Sequence, residues 1–147
     1  MEHLIKNKSI AYEKAGSHED NRYEKIHNVV FESSSEASIL VAKEIADLIV
    51  EKNSKGEICV LGLATGSSPI RVYDELVKMH REDGLSFKNV VSFNLDEYFP
   101  MNPESIHSYH YFMNEHLFNH IDIPKENIFI PDGTIAQQDI AAYCRDY

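Results

Sequence analysis

The sequence predicts an α/β domain built as a three-layer parallel sheet with helices on both faces. Strand-like and helix-like patterns alternate along the chain, which is typical of parallel strands joined by helices. The segment Ile58 to Leu63 is nearly all apolar, as expected of a central strand covered on both faces. With 147 residues and 43% hydrophobic content, the chain can bury the core of one domain.

The first strand and helix are predicted from a β-branched run and a capping pattern. Ile26 to Phe31 is a short run typical of a strand. Ser33 is expected to cap a helix, because Glu36 follows at the spacing of a capping box. This helix is expected to end near Asn53. The apolar residues predicted to form its buried face are Ala37, Leu40, Val41, Ile45, Leu48 and Ile49.

The second strand, Ile58 to Leu63, leads through a turn into a second predicted helix. Ser68 is expected to cap this helix, with Pro69 at the first helical position. Gly84 is expected to stop it. The residues predicted to form its inner face are Ile70, Tyr73, Leu76, Val77 and His80.

The remaining elements follow the same alternation. Strands are predicted at Asn89 to Leu95 and Asn127 to Ile130, with a helix between them from about Ser108 to Asn119. A last helix is expected to begin near Gln137 and still runs at Tyr147. Sheets of this class close with more strands than are predicted here, so we expect the chain to be a truncated, front part of a longer domain. Core positions expected on the helix before the last strand are Tyr109, Phe112, Met113 and Leu117.

Charge and composition exclude several classes of function. The net charge of −10 and the pI of about 5.2 argue against nucleic-acid binding, which needs a basic surface. The longest mostly apolar run, Ser38 to Val50, is too short and too charged to cross a membrane, and the N-terminus lacks the apolar core of a signal peptide. We therefore expect a cytoplasmic protein, with an N-terminal extension at residues 1–25 and the domain at 26–147. Cys59 and Cys144 are expected to be packed, unreactive thiols.

The loop after the second strand is a candidate phosphate site. Thr65, Gly66, Ser67 and Ser68 lie between the strand and the start of a helix, at the sheet edge where ligands bind. Free N–H groups and hydroxyls there can hold a phosphate. The loop lacks the lysine of a Walker A motif and has no GxGxxG pattern, which argues against a nucleotide. The alternative is a plain turn with a serine cap.

The loop after the third strand is a candidate catalytic site. Asp96 and Glu97 come directly after an apolar strand, where a carboxylate can act as a general base. The alternative is that Asp96 caps a turn and Glu97 is solvated. A phosphate anchor and a carboxylate at the same edge of a sheet together suit proton abstraction from a sugar phosphate.

His116 and His120 are candidate metal ligands, because they are spaced four residues apart, as two ligands on one helix face can be. No further cysteine or carboxylate follows at ligand spacing. We therefore expect surface histidines and no metal.

The segments LGLATGSSPIRVYDELVKMH, FNLDEY and SYHYFM resemble the glucosamine-6-phosphate deaminase/isomerase family, from about Val30 to Tyr147. The resemblance implies a Rossmann-like sheet and conversion of glucosamine 6-phosphate and water to fructose 6-phosphate and ammonia, a step of amino-sugar catabolism. It implies neither a metal nor an organic cofactor. Asp96 falls on the family's base, and the Thr65 to Ser68 loop falls on its phosphate loop. Tyr109 falls on an aromatic residue near the pocket, where Glu97 is also expected.

Two departures from the family pattern bear on function. The family reads Thr-Gly-Gly-Thr-Pro where this chain has Ser67 and Ser68 before Pro69, so Ser67 adds a Cβ where the backbone approaches phosphate. The family's ring-opening histidine, in a glycine-rich Asp-Gly-His segment, is expected beyond residue 147. We therefore expect the isolated chain to be inactive, and either to form a homo-oligomer or to depend on a C-terminal portion. The alternatives are a 6-phosphogluconolactonase-like hydrolase and a sensor that binds a sugar phosphate without catalysis.

Overall fold

The computed structural model describes residues 29–147, so the predicted extension at residues 1–25 lies outside the described residues. The predicted α/β class is confirmed: helices and parallel strands alternate along this range. The elements are α1 (Ser34–Ser54), β1 (Cys59–Leu63), α2 (Ile70–Asp83), β2 (Val90–Asn94), α3 (Tyr109–His116), β3 (Ile128–Phe129) and α4 (Ile140–Asp146).

The sheet formed by the described residues has three parallel strands in the order β1-β2-β3. Cys59 lies opposite Val90, and Leu63 lies opposite Asn94, so β1 and β2 end level with each other. The strand predicted at Ile26 to Phe31 is not found, because residues 29–31 form no strand and residues 26–28 lie outside the described range.

One face of β1 is open, contrary to the prediction of a central strand covered on both faces. Successive side chains of a strand point to opposite sides. Cys59, Leu61 and Leu63 are buried under the helices, whereas Val60 on the other face is 62% exposed. Among the described residues β1 is an edge strand, since no strand pairs with it beyond β2.

The second face of the sheet is partly covered near β2 and β3. The ring of Phe93 stacks on Phe129 with centroids 4.7 Å apart, and Tyr147 meets Phe93 edge-on at 6.1 Å. Tyr147 directly follows α4. The last helix therefore reaches the side of the sheet opposite to the main helical layer.

Helix α1 begins as predicted and buries only part of the predicted face: Ile49 is buried and Ile45 packs against the core. The Ser33 hydroxyl accepts the N–H of Glu36 at 3.3 Å, which confirms the cap. Val41 and Leu48, predicted to be buried, are 44% and 40% exposed. The buried residues are Ser38, Ala42, Ala46 and Ile49. Small side chains line this face, which lets α1 approach its neighbours closely.

Helix α2 begins at Ile70, later than predicted. Residues 67–69 form a turn, so Ser68 is not the cap, and Pro69 precedes the helix instead of opening it. The Pro69 carbonyl accepts the N–H of Tyr73 at 3.0 Å, and this bond starts the helix. Gly84 ends α2 in the left-handed conformation, with φ of +74°, as predicted.

Helix α3 begins close to the predicted position and ends earlier than predicted. The Ser108 hydroxyl accepts the N–H of Tyr111 at 2.9 Å. The helix stops at His116, and the chain continues in a separate 3-10 turn at Phe118–His120. His116 and His120 therefore do not share one helix face.

The core lies between the sheet and the main helical layer. Cys59 is buried as predicted, and burial raises the pKa of its thiol. Cys144 is exposed, contrary to the prediction, because no residue of α4 is buried. Large, fully buried side chains of the core are Ile49, Tyr73, Leu76, Phe87, Val90, Met113 and Leu117. Within residues 29–147, no helix has the length and apolar character needed to cross a membrane.

Candidate active site at the carboxyl end of the sheet

The ends of β1 and β2 are tied together where both candidate loops begin. Asn94 is 2% exposed, and its Nδ2 donates to the carbonyl of Leu63 at 3.0 Å. The hydroxyl of Tyr147 donates to the carbonyl of Asn94 at 2.7 Å. The loops that follow Leu63 and Asn94 therefore leave the sheet side by side from fixed points.

A buried side chain of α2 holds the first loop by a hydrogen bond. The buried hydroxyl of Tyr73 donates to the carbonyl of Ala64 at 2.5 Å. Burial raises the pKa of Tyr73 to about 12, so the hydroxyl stays protonated and remains a donor. Gly66 has φ of +101°, a conformation that side chains with a Cβ rarely adopt. The loop thus has one firm anchor and one position that requires glycine.

The second loop is tied to the start of α3 by Glu97. Its carboxylate accepts the backbone N–H groups of Tyr98 at 2.9 Å, Tyr109 at 2.9 Å and His110 at 3.1 Å. Asp96, the preceding residue, is exposed. Two adjacent acidic residues therefore have different surroundings: one is held by backbone donors and the other is open to solvent.

The same loop is held on its other side by Gly133. The carbonyl of Gly133 accepts the N–H of Met101 at 2.9 Å. A Cβ at position 133 would lie 2.6 Å from the carbonyl oxygen of Tyr98 and 2.8 Å from the Cβ of Met101. Backbone segments this close leave room only for glycine, so the loop after β2 is packed firmly against the segment after β3.

A cavity of about 630 Å³ opens between the two loops and α3. This volume is within the range of small-molecule sites in proteins. The rings of Tyr98 and Tyr109 form an aromatic wall with centroids 4.8 Å apart. Residues that line the cavity include Thr65, Gly66, Tyr98, Ile106, His107 and Tyr109.

The phenol of Tyr109 connects the two loops. A hydrogen bond with the Tyr98 side chain raises the pKa of Tyr109, and the negative charge of Asp96 acts in the same direction. A hydrogen bond with the Thr65 side chain acts in the opposite direction. Tyr109 and Thr65 therefore line the same cavity, and the charge of Asp96 acts on the Tyr109 phenol.

The structure brings together some of the residues that the sequence singled out. Thr65, Gly66 and Tyr109 line the cavity, whereas Asp96 is exposed in the second loop and is not among the lining residues. Ser67 and Ser68 are exposed in the turn before α2, outside the cavity lining, and the carboxylate of Glu97 faces the start of α3. The chemical roles expected of these residues stay predictions.

Several structurally important residues were not singled out by sequence reasoning. Tyr73 was expected in the core, but its hydroxyl bond to the loop has no sequence signal. Tyr98 is part of the FNLDEY segment, and that position could have marked it as a cavity residue. Gly133 follows Pro-Asp, a pattern typical of a turn. The pattern favours glycine at this position but does not predict which backbone segments the glycine contacts.

The two histidines that are candidate metal ligands, His116 and His120, make contacts with other side chains and with the backbone. Nδ1 of His120 lies 3.0 Å from the Arg81 guanidinium, and Nε2 lies 2.8 Å from the carbonyl of Glu115. The ring of His116 packs on Phe112, with centroids 4.5 Å apart. Across residues 29–147, no cluster of three or more histidine, cysteine or carboxylate side chains is arranged to hold a metal ion.

Residues 32–147 match the family model described as glucosamine-6-phosphate isomerases/6-phosphogluconolactonase. The chain belongs to this family. A glucosamine-6-phosphate deaminase-like protein of Bacteroides thetaiotaomicron is 49% identical over 126 residues, which are 86% of this chain and 19% of that protein. A glucosamine-6-phosphate deaminase of Bacillus velezensis is 49% identical over 107 residues, which are 73% of this chain and 44% of that protein. The chain thus spans less than half the length of these relatives.

Solved structures confirm the expected Rossmann-like fold. A monomeric glucosamine-6-phosphate deaminase superposes with a TM-score of 0.73 at 39% identity, covering 80% of this chain and 46% of its own. A 6-phosphogluconolactonase of Thermotoga maritima gives a TM-score of 0.59 at 21% identity, covering 75% of this chain and 47% of its own. The second likeness bears on the fold alone.

Proposed function

We propose that this chain supplies the base and part of the phosphate site for the deamination of glucosamine 6-phosphate to fructose 6-phosphate and ammonia. One observation carries the proposal: Thr65 and Tyr109 line one cavity at the carboxyl end of the sheet, and the charge of Asp96, in the loop that borders this cavity through Tyr98, acts on the phenol of Tyr109. Two relatives about half identical to this chain are named for this reaction or for likeness to it.

The phosphate is proposed to bind at the first loop. Helix α2 begins directly after this loop, so its free N–H groups and the positive end of its dipole favour an anion there. The Thr65 hydroxyl and the backbone at Gly66 border the cavity. Ser67 and Ser68 complete the proposed set from the exposed turn.

Asp96 is proposed to move a proton between neighbouring carbons of the open-chain sugar. Its carboxylate takes the proton from C2, the electron pair left behind forms a double bond to C1, and the aldehyde oxygen on C1 takes up a proton from water, which gives an enediol-type intermediate. Asp96 then returns its proton to C1 while the amino nitrogen on C2 gives a proton to water, which leaves an imine at C2. Water hydrolyses this imine to the ketone of fructose 6-phosphate with release of ammonia. One positioned carboxylate can perform both transfers because it accepts and then donates the same proton.

Two alternative functions are lactone hydrolysis and sugar-phosphate sensing without catalysis. Lactone hydrolysis, a second activity within the family, is disfavoured because the similarity to a deaminase structure, 39%, exceeds the 21% to a lactonase structure. A sensor would need the first loop but not Asp96. The expected cytoplasmic location stays a prediction.

The test compares wild type with Asp96→Asn, using the protein as encoded by its gene. We expect ammonia release from glucosamine 6-phosphate to fall about 100- to 10,000-fold, because a general base is lost. Stabilisation by fructose 6-phosphate in a thermal-shift assay should persist. Glu104→Gln, a neutralised carboxylate in the same exposed loop, is the matched control and should keep its activity.

The outcomes separate the three functions. Undiminished turnover in Asp96→Asn would contradict the proposed role of this carboxylate. Hydrolysis of 6-phosphogluconolactone without ammonia release from glucosamine 6-phosphate would indicate the lactonase. Binding of fructose 6-phosphate with no turnover of either substrate by the wild type would indicate the sensor.

A further inference from the structure

The carboxylate of Glu97 joins two segments that are distant in the sequence. Its oxygens accept hydrogen bonds from the N–H groups of Tyr109 and His110, which lie 12 and 13 residues further along the chain. It also accepts the N–H of the adjacent Tyr98 at 2.9 Å. Three backbone donors on one half-buried carboxylate form a tether between the loop after β2 and the first turn of α3.

The start of α3 needs this acceptor. The first turn of a helix leaves its N–H groups without partners inside the helix, and its positive end favours a negative charge. The hydroxyl of Ser108 accepts the N–H of Tyr111, so it leaves the N–H groups of Tyr109 and His110 for Glu97. Bonds from N–H groups to an ionised carboxylate are stronger than those to a neutral acceptor.

The tether connects the loop that carries the proposed base with a residue that lines the cavity. Asp96 is the residue before Glu97, and the aromatic ring of Tyr109 lines the cavity. Glu97 binds the backbone of Tyr109 directly, at 2.9 and 3.1 Å from its two oxygens. The separation of Asp96 from Tyr109 therefore depends on one side chain that does not itself line the cavity.

We propose that Glu97 is a positioning residue, which sets the placement of Asp96 relative to Tyr109 by tethering the loop after β2 to the first turn of α3. This inference rests on the proposed function for its catalytic consequence. The tether itself does not depend on the reaction, and the two can be tested separately.

The experiment compares Glu97→Gln and Glu97→Ala with the control Glu104→Gln, in the protein as encoded by its gene. We expect kcat for deamination to fall about 10- to 100-fold in Glu97→Ala, with KM nearly unchanged, because small misplacements of reacting groups have effects of this size. Glu97→Gln should be intermediate, because its amide oxygen still accepts. Assays are run well below the melting temperature of each variant.

Amide proton shifts measured by NMR report the tether directly. In Glu97→Gln the signals of Tyr109 and His110 should move to lower frequency as their acceptor loses its charge. The signal of Tyr111, held by Ser108, should stay in place, as should all three signals in Glu104→Gln. A merely structural role would lower the melting temperature without lowering kcat in the folded variant.

Four results overturn the inference. Unchanged Tyr109 and His110 signals in Glu97→Gln would show that the tether is absent. Unchanged kcat in folded Glu97→Ala would show that the tether does not position the base, and a rise in KM at constant kcat would show that Glu97 binds substrate instead. Absence of turnover in the wild type would overturn the proposed function and the positioning role together, while the NMR shifts would still decide whether the tether exists.

Discussion

Single hydrogen-bonding side chains fix the backbone around the candidate site. The hydroxyl of Tyr73 holds the first loop through the Ala64 carbonyl, and the carboxylate of Glu97 holds the second loop against α3. Both act on backbone atoms, so they determine where a loop lies, not which groups it offers. The groups proposed to meet substrate are supplied by other residues, such as Thr65 and Asp96.

Tyr73→Phe tests the anchor of the first loop. The substitution removes one hydroxyl from a fully buried ring and leaves the ring's packing intact. We expect the free energy of unfolding to fall by about 1 kcal/mol, the usual contribution of one hydrogen bond. Fructose 6-phosphate should bind several-fold more weakly, because the released loop no longer presents the phosphate site in one geometry.

Urea unfolding and isothermal titration calorimetry measure these two effects. Tyr111→Phe is the matched control, because Tyr111 is 41% exposed and lies outside the cavity lining. Equal affinities for fructose 6-phosphate in the two variants would contradict a role of the Tyr73 hydroxyl in shaping the loop.

The residues of the site could be predicted from the sequence only in part. Thr65 and Asp96 follow the ends of two neighbouring parallel strands, which end at one edge of the sheet, so the pattern predicts both at that edge. The contacts of Glu97 and Gly133 do not follow from it. Each depends on how a distant segment, α3 or the turn after β3, packs against the loop, and local sequence does not encode that packing.

At the scale of elements, the signals at the ends of helices were more informative than those for buried faces. Ser33 caps α1 and Gly84 ends α2 as predicted, since such signals depend on atoms within a few residues. Ser68 does not cap α2, because the chain makes one more turn before the helix begins. The buried face of α1 was predicted only in part: Ile49 is buried as expected, but Leu48 is exposed. Apolar periodicity favours large residues, whereas the small side chain of Ala42 is buried where α1 packs closely.

The connection between α2 and β2 is held by Asp122. Its carboxylate accepts the N–H of Phe87 at 2.6 Å and the hydroxyl of Ser86 at 2.8 Å, and His80 lies 3.7 Å away. Burial acts to raise the pKa of Asp122, but these hydrogen bonds and His80 outweigh it and hold the pKa below the ordinary value of 3.8. The folded protein therefore favours the ionised carboxylate.

This shift predicts a pH dependence of stability. A carboxyl group with a lowered pKa in the folded state adds stability that is complete above its ordinary pKa and is lost as the pH falls through the folded value. We expect Asp122→Asn to lower the unfolding free energy at pH 7 by about 1–3 kcal/mol, since it replaces an ionised acceptor. The difference from wild type should shrink below about pH 4.

Urea unfolding at pH 7, 5 and 3 measures this dependence, with the exposed Asp83→Asn as control. A difference between wild type and Asp122→Asn that stays constant from pH 7 to 3 would contradict the assignment of the acid-sensitive stability to this carboxylate.

At the scale of the whole molecule, helices cover one face of the sheet that the described residues form. At β1 the other face of this sheet is exposed to solvent. Val60 and Leu61 are neighbours with opposite surroundings: Leu61 is 9% exposed beneath the helices, whereas Val60 is 62% exposed. Successive side chains of β1 point to opposite faces of the sheet. Substitutions at neighbouring positions therefore test the two faces separately.

Leu61→Ala and Val60→Ala in the chain of 147 residues therefore form a matched pair. We expect Leu61→Ala to lower the unfolding free energy by about 2–5 kcal/mol, through lost burial and the cavity it leaves. Val60→Ala should lower it by less than about 1 kcal/mol, because the valine side chain is already largely in water. Urea denaturation followed by circular dichroism measures both. A loss in Val60→Ala as large as that in Leu61→Ala would mean that the second face of β1 is covered, because removing methyl groups from a solvated surface leaves no cavity.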